Sequence, residues 1–381
     1  MRRRLGGAIV VALAALLVGA PHARSAEQLF GFSDGSPIFP YEGSATAEQL
    51  AALQSAAGSE VGRFTIRWED VQPAPPPDVG PPLYDFGPVD ALVAALAGEG
   101  IAPLPMILGA PAWARERGCS GVCPPAPARL ADFRAFVRAV LARYPAAAAL
   151  EVWNEPNLDA YWARPAGAEP GADPAAYAEL YAAALEASAG LAPGAPILLG
   201  GLAYAAGGGV ATGMPLAEWL RAFYAAAPAA GAELSDPRVA VALHVYPELD
   251  EVDGLLPYGR FARTLAAARG AIAAHDPEPR SRRIWITEFG ASSTAPLPGA
   301  PAADPLARQA SVILAGLAAF AAAPDIAAAL VYTVVDRPPP SGGTRASEEG
   351  FGLVTRAPEL APKPAYCAVA GWREAPAPSG C

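Results

Sequence analysis

The sequence predicts a single-domain α/β protein, a (β/α)8 TIM barrel, on three observations. Eight short apolar or β-branched runs alternate with Ala-rich amphipathic stretches, the pattern of a parallel sheet covered by helices. Connections after the strand candidates are long and those before them are short, which gathers the variable loops at one rim. No Gly-x-Gly-x-x-Gly follows a strand, and eight repeats fit a closed barrel better than a doubly wound open sheet.

The elements follow in chain order. A strand at Leu29–Phe32 precedes a helix at Ala47–Ala57, which Thr46 and Gln49 open as a capping box. The second strand, Gly62–Trp68, leads through a Pro-rich loop, Asp70–Asp85, to a helix at Val89–Ala97. After the short link Gly98–Gly100 comes a strand at Ala102–Leu108, then the loop Gly109–Pro127. The helix Leu130–Tyr144 is the clearest, with Leu130, Phe133, Val137, Val140, Leu141 and Tyr144 on one face. The link Pro145–Ala149 enters the fourth strand, Leu150–Trp153, and the helix Ala175–Ala189 starts behind the cap pair Asp173-Pro174. Strands at Pro196–Leu199 and Val239–Val245 precede helices at Leu216–Ala226 and Arg260–His275. The strand Arg283–Glu288 precedes the helix Leu306–Ala322, capped by Asp304-Pro305, and the strand Ala328–Val335 runs into the loop Asp336–Gly350. A last helix is expected at Pro364–Arg373.

Met1-Arg-Arg-Arg, an apolar run Leu5–Ala20 and a small-residue exit near Ser25 or Ala26 read as a secretory signal over residues 1–26, leaving 27–381 as the folded domain. The rival is a retained membrane anchor, because the apolar run is at the upper length limit for a signal. No later segment is apolar for long enough to span a bilayer. Removing the signal takes away four arginines and no acid, so the formal charge moves from −10 to −14. An acidic exported domain without basic clusters is a poor binder of nucleic acid or anionic membrane and suits a neutral partner, here as a monomer. The expected location is extracellular. The cysteines fit an oxidising compartment, with Cys119 paired to Cys123 and Cys367 to Cys381. A zinc site built from the four thiolates is the alternative, but the spacing is wrong and only His244 and His275 remain as further ligands. No metal and no cofactor are expected.

Asparagine occurs twice in the chain, at Asn154 and Asn157, both inside Glu151-Val-Trp-Asn-Glu-Pro-Asn157. A chain that elsewhere replaces polar residues with Ala, Gly, Pro and Arg keeps its amides around one glutamate, which points to chemistry there. A second glutamate, Glu288, ends the seventh strand in Ile284-Trp-Ile-Thr-Glu-Phe-Gly290. Two carboxylates at strand ends are the minimal equipment for breaking a glycosidic bond. Gly31-Phe-Ser-Asp-Gly35 matches a serine-hydrolase nucleophile elbow, but Pro37, Pro40 and Gly43 follow it where that motif needs a helix.

This pairing, Trp153-Asn-Glu-Pro-Asn157 with Trp285-Ile-Thr-Glu-Phe-Gly290, resembles clan A of the glycoside hydrolases, retaining (β/α)8 enzymes that include families 5 and 39. Arg67, Ala110-Pro-Ala-Trp113, His244-Val-Tyr246, Phe351-Gly-Leu353 and Lys363-Pro-Ala-Tyr366 extend the resemblance over the whole domain. It implies that Glu155 is the general acid/base and Glu288 the nucleophile, with the two carboxyls roughly 5–5.5 Å apart. It also implies that Asn154 contacts the sugar. Arg67 and Tyr246 are expected to keep Glu288 ionised, and His244 to stand at the barrel mouth. Trp68, Trp113 and Trp162 are candidate sugar-stacking residues, with loop packing as the plain alternative. Because Asn154 and Glu155 are adjacent, the strand must bend or bulge if both are to reach one ligand. The clan's strand-8 tryptophan has no match, with Val334 or Val335 at the expected place and Tyr332 or a loop tryptophan as a substitute. The expected activity is retaining hydrolysis of O-glycosidic, β-type bonds in an oligo- or polysaccharide. The alternative is a carbohydrate-binding barrel without turnover.

Overall fold

The computed structural model describes residues 28–34, 38, 40–167, 171–192, 194–205, 212–246, 259–294, 304–338 and 349–381. The secretory signal at 1–26 lies outside these residues. Eight parallel strands, each hydrogen-bonded to the next in chain order, close into a barrel. They are β1 (Leu29–Ser33), β2 (Val61–Arg67), β3 (Ala102–Leu108), β4 (Leu150–Asn154), β5 (Ile197–Leu202), β6 (Val239–His244), β7 (Ile284–Phe289) and β8 (Ile326–Val331). The helices are α1 (Ala47–Ala56), α2 (Trp68–Val71), α3 (Gly87–Gly98), α4 (Leu130–Arg143), α5 (Pro174–Ser188), α6 (Leu216–Ala226), α7 (Gly259–His275), α8 (Pro305–Ala321) and α9 (Pro364–Trp372). The fold expected from the repeat pattern is thus the fold found.

Helix starts behave as their sequences require. Thr46 accepts from the Gln49 N–H at 3.2 Å while the Gln49 side chain accepts from the Thr46 N–H at 2.9 Å. Asp173 caps α5 by accepting from Ala176 N–H, and Asp304 caps α8 by accepting from Leu306 N–H, each at 3.0 Å. The short α2 and a 3-10 turn at Pro127–Arg129 had no counterpart in the hydrophobic pattern. Both disulfides form as expected, Cys119–Cys123 and Cys367–Cys381. The second closes the chain's final stretch, worth about 3 kcal/mol in the chain-entropy picture.

Two apolar clusters hold the barrel. The larger lies between sheet and helices and takes the outward residues of each strand, such as Phe64, Ile66, Leu150, Val152, Ile284 and Ile286. The smaller fills the barrel floor with Val61, Leu104, Ala149, Leu198, Ala240, Ala242, Trp285, Ala328 and Leu330. Small residues on β6 and β8 leave the room that Trp285 occupies, as a closed barrel requires of its interior layers.

The eighth strand differs from expectation. It ends at Val331, not Val335, and Val334 and Val335 are fully buried beyond it. Val335 instead bridges to Val354, and Lys363 ties down the same segment, donating to Asp336 Oδ1 at 2.7 Å and Ser293 Oγ at 3.1 Å. β-branched valines favoured a longer strand locally, but closure by the chain's last segment takes them.

Candidate active site

Five strands deliver polar side chains to the C-terminal mouth of the barrel. From β2, Arg63 is 3% exposed and donates through Nη1 to Glu288 Oε1 at 2.8 Å and Ser33 Oγ at 2.9 Å. Its Nη2 donates to Asn154 Oδ1 at 3.0 Å, and its Nε to Glu151 Oε2 at 2.6 Å. From β6, His244 places Nδ1 2.8 Å from Glu155 Oε1 and 3.5 Å from Glu288 Oε2. Its Nε2 faces Arg63 Nη2 at 3.4 Å, so the proton shared with Glu155 sits on Nδ1. Tyr246, just past β6, donates to Glu288 Oε2 at 2.6 Å.

Glu155 and Glu288 therefore face each other. One carboxylate oxygen of each, with one His244 nitrogen, all lie within 4.8 Å of one another. Both side chains keep an exposed edge, 13% for Glu155 and 14% for Glu288, through which a ligand can reach them.

Backbone irregularities make this convergence possible. Trp153 has φ +76° and Glu155 φ +42°, both in the left-handed region that L residues rarely enter. The first turn reverses the strand's alternation: Trp153 packs outward on Trp162, and Asn154 turns in to Arg63. The second brings Glu155 in as well. On β7 the pairing slips, with Leu243 opposite Ile286 but His244 opposite Glu288, so Thr287 and Glu288 both reach inward. Between them, Gly201 on β5 has to be glycine, because a Cβ there would lie 2.0 Å from His244 Nε2. Asn157 is fully buried behind Glu155 and bridges Ala203 and Met214, fixing the loop instead of facing the mouth.

The two glutamates sit in opposite electrostatic settings. Burial raises the Glu155 pKa above the usual carboxylate range, a push that its bond to His244 and the Arg63 charge only partly offset. Burial also pushes Glu288 upward, but His244, the Arg63 charge and the bond from Tyr246 outweigh it, so its pKa is lowered. Burial alone would lower the His244 pKa, yet Glu288 and the Glu155 hydrogen bond push it upward.

Several sequence expectations are corrected. Arg63, not Arg67, grips Glu288; Arg67 lies four residues further along, about one-third exposed, with its Nε 3.2 Å from Glu69. Trp68 is fully buried, donates to Gln72 and stacks on Phe136 at 5.5 Å. Trp162 is 1% exposed and packs edge-on to Trp153 and Tyr177. Neither indole can stack on a sugar. Trp113 alone of the three keeps accessible surface, with Arg129 over its ring and its Nε1 donating to Gln72 O. The strand-8 aromatic is Tyr332, which follows β8 directly and stands edge-on to Tyr246 and Phe351. Arg63, Glu151, Ser33 and Thr287 were missed as site residues; the one signal for Arg63 is its parity with Arg67 on β2.

Among the described residues, Glu155, His244 and Glu288 are the group close enough to share an ion. Both oxygens of Glu288 already accept hydrogen bonds, from Arg63 and from Tyr246. A hollow of about 380 Å³ opens nearby, lined by Glu42, Thr294, Asp336, Arg337 and Arg356. Arg337 borders both, since its guanidinium lies 5.2 Å over the Tyr332 ring.

Solved structures that share this fold include glycoside hydrolases of families 39 and 5. A family 39 glycoside hydrolase from Bacteroides cellulosilyticus WH2 superposes with TM-score 0.62 at 20% identity, over 93% of this chain and 64% of that one. A monomeric β-xylosidase from Caulobacter crescentus CB15 gives 0.61 at 21%, over 91% and 69%. An endo-β-1,4-glucanase from Xanthomonas axonopodis pv. citri gives 0.53 at 13%, over 91% and 99%. The chain thus spans a little under two thirds of the first of these. No protein-family profile matches the chain, and no curated protein matches it in sequence.

Proposed function

We propose that this chain is a retaining glycosidase acting on β-linked sugars, with Glu155 as general acid/base and Glu288 as nucleophile. One observation carries the reading: two facing carboxyls, within the short separation of double displacement, have their pKa values pushed in opposite directions. In the first step Glu155 gives its proton to the departing glycosidic oxygen while Glu288 attacks the anomeric carbon, forming a glycosyl ester. The neutral leaving alcohol departs and Glu155 becomes a carboxylate. Glu155 then takes a proton from water, whose oxygen displaces Glu288 from the same carbon and restores both groups.

The neighbouring side chains support these roles. Arg63 and Tyr246 hold Glu288 ionised until it attacks, and His244 orients Glu155 through Nδ1. Asn154, which Arg63 holds, would meet the hydroxyl next to the reacting carbon, and Tyr332 would offer a ring where the clan has tryptophan. Trp113 and the hollow beside Arg337 would take further units of an oligo- or polysaccharide. Arg67, at the end of β2, is accessible enough to meet a bound chain. Secretion through residues 1–26 and an extracellular location belong to the same reading, supported by the disulfides. No helix among the described residues is long and apolar enough to cross a membrane.

The test is hydrolysis of a panel of aryl β-glycosides and β-linked polysaccharides, with the anomer released followed by NMR. Net retention is expected. Inversion would overturn the nucleophile assignment, and sugar binding without product from any member would favour a carbohydrate-binding barrel.

A further inference from the structure

Beneath the two facing carboxylates lies a third that the proposed reaction does not use. Glu151 is fully buried on β4. Its Oε2 accepts from Arg63 Nε at 2.6 Å. Its Oε1 accepts from Arg63 Nη2 at 3.2 Å, from the Gly201 N–H at 2.8 Å and from the Thr287 hydroxyl at 3.2 Å. The opposite side of the same guanidinium faces the mouth, with Nη1 on Glu288 and Ser33 and Nη2 on Asn154. One cation is thus divided between a carboxylate at the mouth and another below it.

We propose that Glu151 is a positioning residue for this site: acting through Arg63, it fixes the guanidinium's orientation and limits how much positive charge reaches Glu288 and Glu155. This rests on the reading of those two as nucleophile and acid/base.

Geometry supplies the argument. A guanidinium is a planar fork of five N–H donors, so whatever holds one side aims the other. Glu151 takes Nε and shares Nη2, which leaves Nη1 pointed at Glu288. Glu151 is itself pinned from two further strands, by Gly201 on β5 and Thr287 on β7, so the fork rests on a fixed seat. The charged and titratable groups around Glu151 are Arg63 from β2, His244 from β6, whose Nε2 is 3.9 Å away, and the Tyr177 phenol from α5. Around Glu155 and Glu288 stand Arg63, His244, Tyr246 and Arg337. Arg63 is the group in hydrogen-bond contact with both layers. In a site this dry, charges act strongly on one another. Without the Glu151 charge, Arg63 would hold Glu288 too firmly as an anion and would favour loss of the Glu155 proton. Both effects oppose catalysis, because the nucleophile becomes less reactive and the acid less often protonated.

The experiment is a 13C NMR titration of glutamate side-chain carboxyls in the full chain and in Glu151→Gln, with signals assigned through Glu155→Gln and Glu288→Gln. Both carboxyls are expected to titrate lower in Glu151→Gln by about half a unit or more. Both limbs of the kcat/KM profile should move the same way where turnover is measurable. Unmoved or raised titrations in a folded variant would make Glu151 a purely structural buttress and overturn the proposal. If Glu151→Gln does not fold, Glu151→Asp carries the test, since it keeps the charge but sets it back by one methylene. A smaller shift in the same direction is then expected, and no shift overturns the idea. The titration needs no substrate, so an inactive protein in the glycoside panel would sink the functional reading and leave this test standing.

Discussion

At the barrel floor, Val61, Ala149, Ala242 and Trp285 interlock with no ionised side chain among them. Two residues further along the same four strands stand Arg63, Glu151, His244 and Thr287, all buried and all hydrogen-bonded to one another or to the mouth. A step of two keeps the side chain on the inner face and moves it by roughly 6.5 Å, so one layer of the interior changes character completely. The floor is stabilised by packing and places little demand on orientation. The polar layer and the mouth above it share one arginine between two carboxylates, Glu151 and Glu288, which is tolerable because each accepts further hydrogen bonds, from Gly201 and Thr287 and from Tyr246. Stability and chemistry are thus separated by one layer of the same strands.

That separation can be broken at either layer. Glu288→Ala should have the largest effect, lowering turnover by roughly 10⁴–10⁶-fold while the protein still melts cooperatively; near-normal hydrolysis would place the chemistry elsewhere. Glu155→Ala should lose about 10²–10⁴-fold on alkyl glycosides and much less on activated aryl glycosides, whose leaving groups need no proton. Equal losses on both classes would contradict the acid role. At the floor, Trp285→Ala should cost about 3–5 kcal/mol in denaturant unfolding and leave kcat/KM of the folded protein near wild type. A specific loss of activity in that variant would mean the layers are coupled. The pH dependence sharpens the picture at the mouth. Activity needs Glu288 ionised and Glu155 protonated, so kcat/KM should rise through a pKa below the ordinary glutamate range and fall through one above it. Smallest of all, Arg67→Ala removes a partly exposed pair with Glu69, worth about 1 kcal/mol in stability, and should leave kcat within a few-fold.

Much of the site was legible before any coordinates. Asn154, Glu155 and Glu288 were marked by composition and motif, and His244 and Tyr246 by the clan resemblance of His244-Val-Tyr246. Arg67 was marked by the clan resemblance, and Arg63 lay in no motif. In a closed barrel the strands are tilted and staggered, so strand ends do not share one level, and Arg63 is the residue level with Glu151 and Thr287. Trp68 and Trp162 looked like stacking residues because both follow strands. They start or flank segments that turn outward, where burying an indole against Phe136 or Tyr177 is more favourable than exposing it.

The amino-acid sequence alone determined the repeat of strand and helix, the helix caps, the pairing of the cysteines and the two glutamates at strand ends. These depend on neighbours within a turn, on alternation or on a compact motif. Only the tertiary structure decided which arginine meets Glu288, where β8 stops and how Asn154 and Glu155 both turn inward. Those outcomes depend on the stagger of eight strands, on a slipped register in β7 and on left-handed residues at Trp153 and Glu155, which long-range closure imposes on the chain.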